Sequence, residues 1–285
     1  MSEPGKAVER LVRAAVEEDL GSGDVTTAAT VPADAHGRAR VIAKASGIIA
    51  GLETAREVFR QLDPETVFEP CLADGHGVTP GAVVATARGS FARLLEAERT
   101  ALNFLQRLSG IATLTRRYVE AVSGTRARVV DTRKTTPGWR EIEKAAVAAG
   151  GGTNHRMGLF DTYLVKENHV AAAGGIPQAL SAVARANATR LPVEIEVRSL
   201  ADLALVLGHP NPPDRILFDN FALPELTRAV RRARAARPEV LLEASGNVDL
   251  ATVRAIADSG VDWISIGALT HSAPALDQTC LIELA

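Results

Sequence analysis

The chain has 285 residues, 46% of them hydrophobic and 23% charged, with a net charge of −2. That balance describes one large or two ordinary globular domains and excludes disorder, as well as wholesale binding to nucleic acid or an anionic membrane. The two cysteines, Cys71 and Cys280, have no CxxC partner, which argues against a disulfide framework or zinc ribbon and fits a reducing cytosol.

Residues 1–20 space Val8, Leu11, Val12, Ala15 and Val16 as one apolar stripe on a charged helix, which is not the pattern of a signal peptide. No apolar run approaches the ~18–20 residues of a membrane span, so the expected location is the cytoplasm. After Gly21 a β-rich stretch is predicted. Residues 38–52, 66–70 and 81–89 supply strands, with turn-rich 73–81 between the last two. Residues 91–122 give the longest helical pattern, with Leu94, Leu95, Ala101, Leu102, Leu105 and Leu108 on one face. The pair Ser109-Gly110 predicts a break within it, and the domain boundary falls close by.

From 126 onward short apolar runs alternate with helical stretches. The runs are 127–134, 162–168, 193–197, 215–220, 240–246 and 263–268. Their last four ends, Glu196, Asp219, Glu243 and Ile266, are spaced by 23, 24 and 23 residues, the span of one strand, one helix and two loops. Helical patterns at 139–149, 223–237 and 249–260 fit between. Serial βα units demand parallel strands, and six of them favour a (β/α) barrel over a doubly wound sheet. No GxGxxG follows a strand.

In such a barrel the chemistry sits at the C-terminal strand ends. Those ends supply Asp131, Arg133 and Lys134; Lys166 with Asn168 and His169; Glu196; Asp219 and Asn220; Glu243, Ser245 and Gly246; and Gly267 with Thr270 and His271. Arg133, Lys134, Arg156 and Lys166, with His155 beside them, form a set suited to a substrate carrying several negative charges. Only five of the basic residues are lysine, and Lys134, Lys144 and Lys166 fall within one short region. Glu196 and Asp219 cannot serve an anion directly, but suit Mg²⁺ or a developing positive charge. The small-residue loops 244–247 and 266–272 have the character of a phosphate site. His155 and His169 lack metal-ligand spacing. On these residues alone a Schiff-base lyase using Lys134 or Lys166, and a non-catalytic anion binder, stay open.

The block DTRKTTPGWREIEKAAVAAGGGTNHRMGLFDTYLVKENHV (131–170) resembles the signature of the quinolinate phosphoribosyltransferases. EEDLGSGDVTT (17–27), EAERTALNFLQRLSGIAT (96–113), EIEV (194–197), FDNF (218–221), EASGN (243–247) and GVDWISIGALTHS (260–272) follow the same family in the same order. Asn247 stands where some members have Gly. The resemblance implies an N-terminal open α/β sandwich, 1–113, and an incomplete (β/α) barrel, 114–285, whose last residues can return to the first domain. It implies transfer of the phosphoribosyl group of phosphoribosyl pyrophosphate to quinolinate with decarboxylation, in NAD biosynthesis, with Mg²⁺ as cofactor. It also implies a homodimer with shared active sites. By motif, Arg133, His155, Arg156 and Lys166 would hold the quinolinate carboxylates, with Arg99 from the partner subunit. Lys134 and Lys166 would reach the phosphoribosyl pyrophosphate, and Thr132 would line the same site. Glu196 and Asp219 would bind Mg²⁺, directly or through substrate and water, or the ribose hydroxyls. Ser245, Gly246, Asn247, Ile266, Gly267, Ala268 and His271 would hold the 5′-phosphate.

Overall fold

The computed structural model describes residues 3–285, so the first two residues of the expected N-terminal helix lie outside it. In chain order the elements are α1 (Glu3–Leu20), α2 (Val25–Thr30), β1 (His36–Ala43), β2 (Gly47–Ile48), α3 (Leu52–Leu62), β3 (Val67–Pro70), β4 (Gly77–Val78), β5 (Val83–Ser90) and α4 (Phe91–Ala121). They continue with β6 (Arg128–Val130), α5 (Arg140–Ala149), β7 (Tyr163–Val165), α6 (Glu167–Ala173), α7 (Ile176–Ala186), β8 (Val193–Val197) and α8 (Leu200–Leu207). The last are β9 (Arg215–Asp219), α9 (Leu223–Ala236), β10 (Leu241–Ser245), α10 (Val253–Asp258), β11 (Trp263–Ser265), α11 (Ala268–His271) and β12 (Gln278–Leu284).

These elements form two units. The first holds residues up to Arg116, with Lys134–Gly151 and Ala268–Ala285; the second holds Arg117–Arg133 and Gly152–Gly267. By contacts, α5 and the C-terminal segment count with the first unit.

The first unit carries an antiparallel sheet in the order β12-β1-β5-β3. Strand β1 alternates strictly. Gly37, Ala39, Val41 and Ala43 are buried, while His36, Arg38 and Arg40 face outward, as the two-residue period of a half-covered sheet requires. Helix α3 adds Leu52, Ala55, Val58 and Phe59 to the core. Neither α2 nor α3 was expected in the β-rich stretch. α2 starts because the Asp24 carboxylate accepts from the N–H groups of Thr26 and Thr27; α3 follows Gly51, whose φ of 97° only glycine adopts without strain.

Helix α4 does not break at Ser109-Gly110 but runs unbroken through both. The small residues serve close packing instead. Ser109 Oγ accepts from the Ala50 N–H at 3.1 Å, and a Cβ on Gly110 would come within 2.1 Å of the Pro274 carbonyl.

The second unit is built on a six-stranded parallel sheet in the order β6-β11-β10-β9-β8-β7. Consecutive strands β6 and β7 form its two edges, so the (β/α) barrel is left incomplete between them. Thr153 partly extends the β6 edge, pairing with Val130. Helices α7, α8 and α9 cover the outside with apolar faces that include Leu180, Leu203, Val206, Leu226 and Val230. Among the described residues no helix is long and apolar enough to cross a membrane.

Candidate active site

Strands β7, β8 and β9 are hydrogen-bonded neighbours, so Lys166, Glu196 and Asp219 stand at successive C-terminal ends. Lys166 is the N-cap residue of α6, and its Nζ lies 3.8 Å from Glu196 Oε2. Burial, and then the Asp219 carboxylate, raise the Glu196 pKa above the usual range, against the opposing pull of Lys166. Two carboxylates that repel each other at half-buried strand ends are a donor set that a divalent cation would relieve, and oxygen-only donors suit Mg²⁺.

The gap between β6 and β7 is lined by the segment after Gly152. Thr153 N–H donates to the Val129 carbonyl at 2.8 Å, and the buried Asp131 carboxylate accepts the His155 N–H at 2.8 Å. This fixes Arg156, whose Nη1 donates to the Thr162 carbonyl at 3.3 Å. Burial, and then the neighbouring Arg133, oppose the positive charge of Arg156. Like charges are thus gathered where water cannot fully screen them, an arrangement that a bound dianion would complete.

His155 itself is turned inward. Its Nε2 lies 3.2 Å from Glu194 Oε2 and 3.4 Å from Glu243 Oε2, and its Nδ1 accepts the Arg156 N–H at 2.7 Å. Ser265 Oγ donates to Glu243, Arg215 Nε lies 3.6 Å from Glu194, and the Arg215 guanidinium sits over the Trp263 ring. Burial works against a charge on His155, but the adjacent Glu194 and Glu243 carboxylates outweigh this and push its pKa up to about 9. Burial and the Glu194 charge raise Glu243, whereas His155 and Arg215 overcome burial to keep Glu194 ionised. Because Nδ1 accepts an N–H, the ring proton sits on Nε2 toward the carboxylates, and the raised pKa belongs to the coupled trio rather than to His155 alone. His155, Glu194 and Glu243 bring their donor atoms within 4.8 Å of one another, but the guanidinium of Arg215 already supplies the positive charge there.

The sequence reading passed over Glu194, Arg215 and Ser265. The signal was present in VEIEV, where strand alternation sends Glu194 and Glu196 to the same side.

At the phosphate end, register sets Ser245 beside Asp219 and Ser265. The turn after β9 places Asn220 at φ 57°, and its N–H donates to the Ser245 carbonyl at 2.9 Å. Asn247, at φ 50°, donates through its side-chain amide to Asn220 Oδ1 at 3.1 Å. Between them Gly246 has φ 101°, and a Cβ there would lie 2.2 Å from Asn220 Oδ1. Only glycine fits this clamp. Ile266 is held by its N–H to the Val130 carbonyl at 2.9 Å, with Gly267 following. The second unit therefore carries Thr132, Arg133, His155, Arg156, Lys166, Glu196, Asp219, Ser245, Gly246, Asn247, Ile266 and Gly267.

The first unit carries Arg99, Lys134, Ala268 and His271. Thr270 Oγ1 donates to the Lys134 carbonyl at 2.8 Å, tying the Lys134 segment to α11. Arg107 Nη1 donates to the Ala273 carbonyl at 2.8 Å, and Arg107 Nη2 lies 3.4 Å from the buried Glu143 carboxylate, which also accepts from Thr136 N–H and Oγ1. Arg99 does not share the buried stripe of α4, although it stands four residues after Leu95 and three before Leu102. It is exposed, four residues before exposed Asn103, while Ala97, Thr100 and Ala101 turn inward.

Two family models cover nearly the whole chain: the quinolinate phosphoribosyl transferase N-terminal domain matches residues 24–109 and its C-terminal domain matches 111–280. The chain belongs to the quinolinate phosphoribosyltransferase family. A nicotinate-nucleotide pyrophosphorylase [carboxylating] of Mycobacterium leprae is 44% identical over 276 residues, covering 95% of each chain. A probable enzyme of the same name from Synechocystis is 43% identical over 260 residues, 91% of this chain and 87% of that one. The solved nicotinate-nucleotide pyrophosphorylase of Francisella tularensis superposes with a TM-score of 0.92 at 39% identity, covering 99% of this chain and 98% of that one. The human nicotinic acid phosphoribosyltransferase, at 15% identity and a TM-score of 0.62, shares the fold alone.

Proposed function

We propose that the cationic strand ends of the second unit hold quinolinate and that its acidic ends hold the phosphoribosyl group. As a member of its family the chain transfers the phosphoribosyl group of phosphoribosyl pyrophosphate to quinolinate with decarboxylation, giving nicotinate mononucleotide, pyrophosphate and CO₂, a step in NAD biosynthesis. The observation that carries the site assignment is the gathering of Arg133 and Arg156, with Arg156 half-buried against its own charge. A dianion adds negative charge beside two neighbouring guanidiniums, and Arg binds carboxylates bidentately.

In this reading Arg133, Arg156 and Lys166 align the diacid, with His155 behind them. The pyridine nitrogen attacks the anomeric carbon, forming the N–C bond as the C–O bond to pyrophosphate breaks. Glu196 and Asp219 stabilise the positive charge that develops on the sugar. The same two carboxylates would hold Mg²⁺, directly or through substrate and water, and the ion would supply neutralisation of the leaving pyrophosphate. Lys134 and Lys166 steady the pyrophosphate oxygens, and the 245–247 clamp with Ile266, Gly267, Ala268 and His271 receives the 5′-phosphate. Thr132 lines the same site. The C2 carboxylate then departs as CO₂, its bonding electrons passing into the pyridinium, and a proton takes its place. Most of the acceleration comes from neutralising and aligning two polyanions.

The reading also includes a cytoplasmic homodimer in which Arg99, exposed on α4, completes the partner's site, as the motif EAERTALN implies by family resemblance. The deciding assay combines quinolinate, phosphoribosyl pyrophosphate and Mg²⁺ and measures nicotinate mononucleotide and CO₂. Equal turnover with nicotinate in place of quinolinate would remove the diacid pocket from the reading. Trapping of a substrate imine by borohydride would instead favour the lyase chemistry of Lys134 or Lys166.

A further inference from the structure

We propose that the buried carboxylates Glu194 and Glu243 are positioning residues for quinolinate: they fix the His155 ring, and His155, through Nδ1, fixes the Arg156 amide and so the guanidinium that reads the diacid. The inference rests on the assignment of Arg156 to quinolinate.

Three observations carry it. Glu194 and Glu243 are both fully buried in the barrel interior, where such folds ordinarily place Val, Ile and Leu. Their two facing oxygens stand 3.2 and 3.4 Å from a single His155 Nε2 as ion pairs, and neither these oxygens nor Glu194 Oε1 has a well-aligned hydrogen-bond partner. Buried ion pairs with incomplete hydrogen bonding are commonly no more stabilising than apolar side chains of the same size, so stability does not account for the cluster.

The chain of contacts also has a direction. Ser265 and Arg215 anchor the carboxylates, the carboxylates hold Nε2, and Nδ1 accepts the N–H of Arg156 itself. In addition, the Glu194 charge offsets part of the repulsion that Arg133 and Arg215 exert on Arg156. Glu194 thus helps to hold the guanidiniums together before the dianion arrives, a form of preorganisation.

The test measures the melting temperature, kcat and both KM values for Glu194→Gln, Glu243→Gln and Ser265→Ala, with Arg156→Ala in the same series. Glu194→Gln and Glu243→Gln should each raise the quinolinate KM about tenfold, a usual coupling within one hydrogen-bond network. The KM for phosphoribosyl pyrophosphate and kcat should stay within about twofold of wild type, and the melting temperature should hold or rise. Ser265→Ala, which leaves every charge in place, should show the same split more weakly; it serves alone if a Gln variant does not fold. An unchanged quinolinate KM overturns the proposal. So does a fall in melting temperature with kcat and both KM values worsening together, because that is the behaviour of a structural prop. If quinolinate binding fails in Arg156→Ala but not in the Gln variants, the positioning role falls and the pocket stands. If Arg156→Ala also binds normally, both fall. A stoichiometric metal retained at the trio after chelator treatment would overturn the proposal as well.

Discussion

Lys166 Nζ stands 3.8 Å from Glu196 Oε2, a cation and an anion on adjoining strand ends of one parallel sheet. Each partner keeps capacity for a further contact, since an ammonium has three donors and a carboxylate several acceptor sites. Burial, and then the Asp219 charge, raise the Glu196 pKa, so the two carboxylates are coupled. Asp219→Asn and Glu196→Gln should each lower kcat by about 10²–10³, the usual cost of losing a group aimed at transition-state charge. Quinolinate binding should change little. Wild-type turnover in both variants, measured at saturating substrates and Mg²⁺, would end the assignment.

Arg156 is held from both sides, its amide on His155 Nδ1 and its guanidinium on the Thr162 carbonyl. Truncation leaves a carboxylate of the ligand desolvated and unpaired, which typically costs ~2–5 kcal/mol. Arg156→Ala should weaken quinolinate binding about 30-fold or more, with the melting temperature preserved because the side chain is only half-buried. Calorimetric titration with quinolinate checks this, and tight residual binding would contradict it.

The barrel was legible because its strands are short, apolar and regularly spaced, and the charged strand ends stood out against them. The first unit was harder to read. Residues 38–52 read as strand through the β-branched Val41, Ile42, Ile48 and Ile49, yet Leu52 opens α3, whose helical pattern at Leu52, Ala55, Val58 and Phe59 was masked by the run before it. The break expected at Gly110 failed because that glycine answers a tertiary demand, the nearby Pro274 carbonyl, which local sequence does not carry. The same holds inside the barrel. Glu196 and Asp219 were visible as strand ends, whereas Glu194 and Arg215 lie one layer deeper and become meaningful only when β8, β9 and β10 are set side by side.

Gly246 offers a test of the phosphate clamp. A methyl group there would press on Asn220 Oδ1 at 2.2 Å, and the residue would keep a φ of 101°. Strain of this kind costs ~1–3 kcal/mol. Gly246→Ala should raise the KM for phosphoribosyl pyrophosphate about tenfold or more and leave quinolinate affinity unaltered, since Arg133 and Arg156 lie on other segments. A shift in both affinities would show that the loop does more than receive phosphate.

Arg99 lies on the exposed side of α4, with Asn103 one turn further on. An arginine in that place needs no function, because a solvated helix face is where charges ordinarily sit. Its proposed role rests on the family motif EAERTALN and on a shared site, and complementation separates the two explanations. Arg99→Ala and Lys166→Ala should each be inactive alone. On mixing under conditions that exchange subunits, about half of the dimers become mixed, as random pairing of two equal populations requires. If Arg99 acts in the partner's site, each mixed dimer has one site with both lesions and one with neither. About a quarter of wild-type activity should then return, half of the dimers each contributing one of two sites. If Arg99 acts within its own subunit, every site keeps one lesion and no activity returns. Should Arg99→Ala retain full activity by itself, Arg99 is a solvated surface residue and the shared site loses its support.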